Sequence, residues 1–271
     1  MGESTVSIKL GVIGGGVMAE AILSRLIAQE LYSAQDILVC DVSPERLSYW
    51  RETYKVQSSL DNQSVVAANV VLLATKPQVF PSVAQQLQLG SSALVISILA
   101  GVKLEQLESS FKGHPVIRAM PNTPATVGEG ITALAIGCSA SDDHVTLTEQ
   151  LFQAVGDVVR VPDSMMDAVT GLSGSGPAYV AIAIEALTDG GVAAGLPRAI
   201  AGKLALQTVQ GTATLLAQSE LHTAQLKDQV TSPGGTTIAG VRTLEKFGFR
   251  SALIEAVQAA YLRSQALAAR D

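Results

Sequence analysis

Leu10-Gly11-Val12-Ile13-Gly14-Gly15-Gly16-Val17-Met18-Ala19 decides the fold. Leu10 to Ile13 end an apolar run of strand character, and a helical pattern runs from Met18 to Gln29. Between them stands a turn with the spacing of a dinucleotide fingerprint: Gly14 as first glycine, Gly16 as second and Ala19 in the third position. Gly14 permits the tight turn, Gly16 lets the backbone approach a pyrophosphate, and Ala19 keeps the helix close to the sheet. The amides that open the helix then face the phosphates. Ile13, Gly14, Gly15, Gly16, Val17 and Met18 are therefore expected to line a dinucleotide. A glycine-rich turn with a purely structural role is the alternative.

The same texture continues downstream. Strands are expected at Ser7–Ile13, Ile37–Cys40, Val70–Leu73, Leu94–Ile98, Val116–Arg118, Thr132–Ile136 and Val158–Val161. Several are near-continuous aliphatic runs, the pattern of parallel strands buried on both faces. Helical stretches separate them. Asp41-Val42-Ser43-Pro44 reads as a helix start, with Ser43 as cap and Pro44 in the first turn. The alternation predicts an α/β fold: a doubly wound, mainly parallel Rossmann domain over residues 1–162. After Pro162 the strand pattern stops. Pro177–Ala194, Arg198–Ser219, Thr236–Lys246 and Arg250–Ala269 are rich in Ala, Leu, Ile and Gln, so residues 163–271 are expected to be all-helical.

Three strand ends should border the cofactor, because ligands bind outside the carboxyl ends of such strands. Asp41 follows the second strand, where an acid holds ribose hydroxyls and favours NAD over NADP. Arg46 and Arg51 lie just downstream and are placed to offset its repulsion of a 2′-phosphate. Ala74, Thr75, Lys76 and Pro77 follow one strand, and Leu99 and Ala100 another.

Composition excludes several partners. Only 15% of residues are charged against 48% hydrophobic, so a large share of the surface is expected to lie in an oligomer. Tyr179–Leu187 is apolar on nearly every face, which in a small domain also points to a partner chain. The net charge is −6 with no basic run, so no nucleic acid is expected. Cys40 and Cys138 stand in strand-like contexts without metal or redox spacing and are read as small buried side chains. Neither a signal peptide nor a run of about 18 uncharged apolar residues appears, so a cytoplasmic protein with no membrane contact is expected. Met1-Gly2 is read as an ordinary cytosolic terminus rather than a myristoylation start.

A second anion-binding loop is expected in the helical half. Ser232-Pro233-Gly234-Gly235-Thr236-Thr237 precedes a helix, where unpaired amides suit a carboxylate or phosphate. An ordinary interhelical turn is the alternative. The cluster Gly171–Ala178 is read as a close backbone approach or a hinge. His114, His144 and His222 have no carboxylate partner at a telling spacing, and no metal-ligand cluster appears, so no metal is expected. A nicotinamide site without an obvious base suits hydride transfer to an electrophilic C=N bond. The hydroxyl of Thr237 is placed to contact the nitrogen.

The chain resembles the pyrroline-5-carboxylate reductase family. LKDQVTSPGGTTIAGVRTLE at Leu226–Glu245 is similar to that family's signature. GVIGGGVMAEAI, LLATKPQV, RAMPNTPA, TGLSGSGPAY and GFRSALIEAV agree in order along nearly the whole chain. The resemblance implies reduction of pyrroline-5-carboxylate to L-proline by a homodimer, often a decamer of five dimers. It implies that Ser232, Gly234, Gly235, Thr236 and Thr237 bind the substrate carboxylate, that Thr237 lies beside the ring nitrogen as the catalytic candidate, and that Glu220 organises the loop. It also implies NADPH as the default cofactor. Asp41 departs from the small or neutral residues common there, so NADH use is expected as well. The rival readings are a β-hydroxyacid dehydrogenase, which would want a catalytic lysine that Tyr179–Asp189 lacks, and a non-catalytic NAD(P)-binding oligomer.

Overall fold

The structure is a computed structural model that describes residues 8–90 and 92–268. The Met1-Gly2 terminus, Ser7 of the expected first strand and Ala269 of the expected last helix lie outside the described residues. The chain forms two compact units. The first takes in the chain as far as Gly174 and again from Ala260; the second is Ser175–Ala259.

The first unit is built on β1 (Leu10–Ile13), β2 (Ile37–Cys40), β3 (Gln57–Ser59), β4 (Val70–Leu73), β5 (Leu94–Ser97), β6 (Val116–Met120), β7 (Gly130–Ile136) and β8 (Gly156–Arg160). They form one sheet in the order β3-β2-β1-β4-β5-β6-β7-β8. Pairing is parallel except between β6 and β7, which are antiparallel. The sheet is thus mainly parallel, as expected. It gains one strand that the sequence did not announce, β3. Gln57-Ser58-Ser59 is polar and, among the described residues, pairs with β2 alone, so it lacks the aliphatic run that marks the central strands.

Side chains alternate between two cores, one on each face of the sheet. Leu10, Val12, Val70, Leu72, Leu94 and Ile96 pack on one face with α1 (Val17–Ala28), α2 (Pro44–Tyr54) and α5 (Asp142–Gln153). Ile13, Val71, Leu73 and Val95 pack on the other with α3 (Phe80–Gln86) and α4 (Leu104–Ser110). This is why the strands read as unbroken apolar runs: both faces are dry.

Residues 163–174 pack with the first unit although they are helical. Asp163 pairs with Arg118 of β6 at 2.8 Å. Met166 of α6 (Met166–Val169) is buried against Ala133 and Ala135 of β7. A π-helical turn follows over Thr170–Gly174, where Ser173 O accepts from the Asn122 amide at 3.2 Å. Contacts therefore divide the chain one short helix beyond Pro162.

The second unit holds α7 (Gly176–Ala193), α8 (Arg198–Gln218), α9 (Thr223–Gln229), α10 (Thr236–Lys246) and α11 (Phe249–Ala268), the last of which runs on into the first unit. α9 is short and lies outside the expected helices. Ala201 and Ala205 of α8 are buried, and Gly191 of α7 lets Ala201 approach: a Cβ there would sit 3.0 Å from that of Ala201. The Tyr179 hydroxyl of α7 donates to Ala256 O of α11 at 3.2 Å. Otherwise these helices expose much apolar surface in the single chain. No residue of α7 is buried, and Ile182, Leu187, Leu204, Leu206, Leu244, Phe247 and Ile254 are all exposed. Burying one such side chain is worth about 1.5–3 kcal/mol, so so large an apolar face favours a covering partner. No helix of the described residues is long and apolar enough to cross a membrane.

Cys40 is buried as expected, but Cys138 is exposed. β7 ends at Ile136, and the Cys138 amide is held out by the Glu108 carboxylate at 2.7 Å, so the side chain leaves the core.

Candidate active site

The carboxyl ends of β2, β1, β4 and β5 lie side by side, with Ile13 in register with Cys40 and Leu73, and Leu73 with Ser97. The strand order reverses its direction of growth between β1 and β4, which is where open α/β sheets bind ligands. The sequence-derived cofactor residues therefore gather at one sheet edge: the turn after β1, Asp41 after β2, Ala74–Pro77 after β4, and Leu99 and Ala100 after β5.

Gly14 has φ +97°, and a Cβ there would meet Ala74 O at 2.6 Å and Thr75 N at 2.8 Å. The β1 and β4 ends thus approach backbone to backbone, and only glycine lets them. Gly16 is the opposite case: a Cβ there would meet nothing within 4 Å. It is the N-cap of α1 and brings no side-chain hydrogen bond, so the first-turn amides keep their capacity for an anion. That open cradle fits a pyrophosphate. The Gly14 and Gly15 amides are already committed, to Cys40 O and to Asp41 Oδ2, each at 2.7 Å. The amides that follow, of Gly16, Val17 and Met18, stay open to an anion. Ile13 and Leu99 bury their side chains in the core and offer backbone alone to a ligand, whereas Gly16, Val17, Lys76 and Ala100 are exposed.

Asp41 is shared. Oδ2 accepts from Gly15 N, and Oδ1 accepts from Ser43 N at 2.9 Å. A carboxylate has about four acceptor sites, so lone pairs remain for ribose hydroxyls. Ser43 caps α2 as expected, accepting from Arg46 N at 3.1 Å, with Pro44 as the first helical residue. Arg46 does not stand free to offset the Asp41 charge. Its Nε donates to Gly15 O and its terminal nitrogen to Glu20 Oε2. Arg51 is exposed and donates to Ser58 Oγ at 2.6 Å and Ser48 Oγ at 3.0 Å.

Two residues that support this site carry no sequence signal. Trp50, fully buried, donates from Nε1 to Gly15 O at 3.0 Å and packs beneath the turn. Glu20 takes hydrogen bonds from Arg46, from Tyr49 Oη at 2.6 Å and from Tyr54 Oη at 3.1 Å. Burial acts to raise the Glu20 carboxyl, but these three donors together hold it below its ordinary 4.5. Burial, the Tyr49 hydroxyl and the Glu20 carboxylate push the Tyr54 phenol up to about 12.

The loop of the second unit has the features of an anion site by itself. Gly234 has φ +68°, and Gly235 N donates to Ser232 O at 3.1 Å. A Cβ on Gly235 would run into Ser232 Oγ, which would have to turn aside, and would lie 3.2 Å from Ser232 O. Gly235 is the N-cap of α10 and has no side-chain cap, leaving the amides of Thr236 and Thr237 at the mouth of the helix. Ser232, Gly234 and Thr236 are exposed, while Thr237 is partly buried in the first turn. Glu220 is exposed in the link between α8 and α9. The three histidines serve backbone groups. His114 Nδ1 lies 3.1 Å from Ala93 O, His144 forms a capping box with Ser141, and His222 Nδ1 accepts from Ala224 N at 3.2 Å.

Known proteins agree with this layout. Residues 163–267 match the family model described as pyrroline-5-carboxylate reductase dimerisation, and residues 9–101 match one described as NADP oxidoreductase coenzyme F420-dependent. The pyrroline-5-carboxylate reductase of Synechocystis is 60% identical over 264 residues, covering 97% of this chain and 99% of that protein. A solved pyrroline-5-carboxylate reductase of Coxiella burnetii is 35% identical with a TM-score of 0.88, covering 96% and 98% of the two chains. A pyrroline carboxylate reductase of Plasmodium falciparum, solved with NADP bound, is 30% identical with a TM-score of 0.88, covering 97% and 99%. With a glycine turn at the carboxyl end of β1, and relatives matched along nearly all of their own and this chain's length, the chain belongs to the pyrroline-5-carboxylate reductase family.

Proposed function

We propose that the chain reduces pyrroline-5-carboxylate to L-proline with NADPH or NADH, the last step of proline synthesis. The observation that carries this reading is the turn at Gly14–Gly16, whose cradle is open at Gly16, on a chain related along its whole length to reductases of that name. The bound reduced nicotinamide supplies the hydride. The imine carbon takes it, and the ring nitrogen takes one proton, which leaves a secondary amine and the oxidised cofactor.

The chain's residues divide this work. Residues 1–162 hold the dinucleotide through Ile13–Met18, Asp41, Ala74–Pro77, Leu99 and Ala100. Residues 163–271 hold the substrate and pair with a second copy. Ser232, Gly234, Gly235, Thr236 and Thr237 take the substrate carboxylate on amides and hydroxyls, Glu220 organises that loop, and the Thr237 hydroxyl faces the ring nitrogen. The exposed apolar helices support the dimer, and five such dimers in a decamer remain part of the proposal. The two free thiols, Cys40 and Cys138, suit a reducing cytoplasm.

The test is oxidation of NADPH and of NADH, followed by loss of nicotinamide absorbance, with pyrroline-5-carboxylate as acceptor. Turnover with at least one cofactor is expected. Folded protein that oxidises neither would overturn the reading.

A further inference from the structure

Asp41 and Arg46 grip the same residue from opposite ends. The Asp41 carboxylate accepts from Gly15 N, and the Arg46 guanidinium donates to Gly15 O. α2 therefore places a cation on the same turn residue that is held by Asp41, the proposed ribose contact. A 2′-phosphate brings about 1.5–2 negative charges, and an arginine at that place is the group that would receive it.

That arginine is occupied. Its terminal nitrogen is paired with Glu20 on the first turn of α1, and its guanidinium lies 4.7 Å from the Tyr49 ring centre and 5.5 Å from that of Trp50. Both partners of the ion pair are about three-quarters buried, so solvent screens it only in part. Glu20 is fixed in turn by the Tyr49 and Tyr54 hydroxyls. The guanidinium is thus engaged by a carbonyl, a carboxylate and two aromatic rings, with about a quarter of the side chain exposed. Arg51, the other cation of α2, rests on serine hydroxyls and makes no ion pair among the described residues.

We propose that Glu20 is a specificity-determining residue for the cofactor: by engaging Arg46 it withholds from a 2′-phosphate the guanidinium that borders the glycine turn. The chain then accepts a 2′-hydroxyl on Asp41 and keeps a latent cation one ion pair away. Asp41 repels the extra phosphate directly, and Glu20 removes the charge that would compensate. Glu20 acts through Arg46, as a positioning residue. The location of the 2′-position rests on the ribose reading of Asp41.

The test compares adenosine 2′,5′-bisphosphate with 5′-AMP, which differ by the 2′-phosphate alone. Dissociation constants are measured by calorimetry on the full chain, and the readout is their ratio. Glu20→Gln keeps the shape and an acceptor for both tyrosines but frees the arginine. It is expected to raise the relative affinity for the bisphosphate about tenfold, the effect of one charge-assisted hydrogen bond. Glu20→Gln with Arg46→Ala should return the ratio to that of the parent chain. Arg46→Ala alone should weaken both ligands together, because Gly15 O loses a partner, and leave the ratio within about twofold.

An unchanged ratio in Glu20→Gln would overturn the proposal, and so would a fall in the ratio of Arg46→Ala alone, since the arginine would then already serve the 2′-phosphate. A gain in Glu20→Gln that Arg51→Ala rather than Arg46→Ala abolishes would overturn it too. Asp41→Ser separates the underlying reading. If it raises the ratio while Glu20→Gln does not, the Glu20 assignment fails and the ribose contact stands. If Glu20→Gln raises the ratio while Asp41→Ser leaves it flat, the ribose contact fails and Glu20 keeps its role on its own measurement. The same variants carried into steady-state kinetics should move the NADPH to NADH ratio of kcat/KM in parallel.

Discussion

Gly14→Ala and Gly16→Ala make one prediction, because the two glycines stand two residues apart and serve opposite needs. At Gly14 the added methyl meets Ala74 O at 2.6 Å and Thr75 N at 2.8 Å, and φ is +97°. A non-glycine residue in such a conformation costs about 1–3 kcal/mol. Forcing atoms into a packed site costs roughly 1–3 kcal/mol more, and here the opposing atoms are backbone and cannot rotate away. The sum is about 2–6 kcal/mol. For domains of 150–250 residues each kcal/mol moves Tm by about 2–4 °C, so a fall of roughly 5–20 °C is expected. At Gly16 the methyl meets nothing. The loss of glycine at an N-cap costs a few tenths of a kcal/mol or somewhat more, and reduced freedom of the unfolded chain returns about 0.4–1 kcal/mol. Stability should therefore stay within about 0.5 kcal/mol, while the methyl fills the phosphate cradle and dinucleotide affinity falls at least about tenfold. The assay is thermal unfolding followed at the Trp50 fluorescence, which reports the first unit, together with calorimetric titration of the dinucleotide. Equal Tm losses in the two variants, or a Gly16→Ala protein that binds dinucleotide normally, would refute the reasoning.

Three further outcomes are expected. Thr237→Ala should lower kcat by about 10²–10⁴-fold, the usual worth of a positioned proton donor, with cofactor affinity unchanged; loss of cofactor affinity alone would contradict its assignment. Cys40 is pushed up to about 12 by burial and by the nearby Asp61, so a thiol reagent near neutral pH should label Cys138 quickly and Cys40 only after unfolding. The Glu20 carboxyl lies below its ordinary 4.5, so its contribution is present above that value and is lost as pH falls through the folded value. Unfolding free energy measured from pH 7 down to pH 3 should therefore drop less steeply in Glu20→Gln than in the parent chain, and parallel curves would exclude the Arg46 and tyrosine contacts as its cause.

Much of the molecule was legible because its signals are local. The central strands are aliphatic on both faces, so their places are visible without knowing their neighbours. Ser43-Pro44 announces α2 through a cap three residues long. The glycine turn and Ser232–Thr237 are contiguous stretches whose chemistry follows from missing side chains and helix starts. Edges were less visible. β3 is polar and has a strand partner on one side only among the described residues, and the segment from Asp163 to Gly174 reads as helical whichever unit it packs against. Cys138 had the composition of a strand but lies past the end of one.

The sequence by itself determined the class of fold, the family, and the places of the two glycine-rich loops that open helices, because spacing within a few residues suffices for each. Tertiary structure alone decided what surrounds the turn. Arg46 could be read from sequence as a free cation facing a phosphate. Packing instead closes it between Gly15, Glu20, Tyr49 and Trp50, residues up to 35 positions apart. Charge is written in the sequence, but whether a charge is available depends on which opposite charge the fold brings to it.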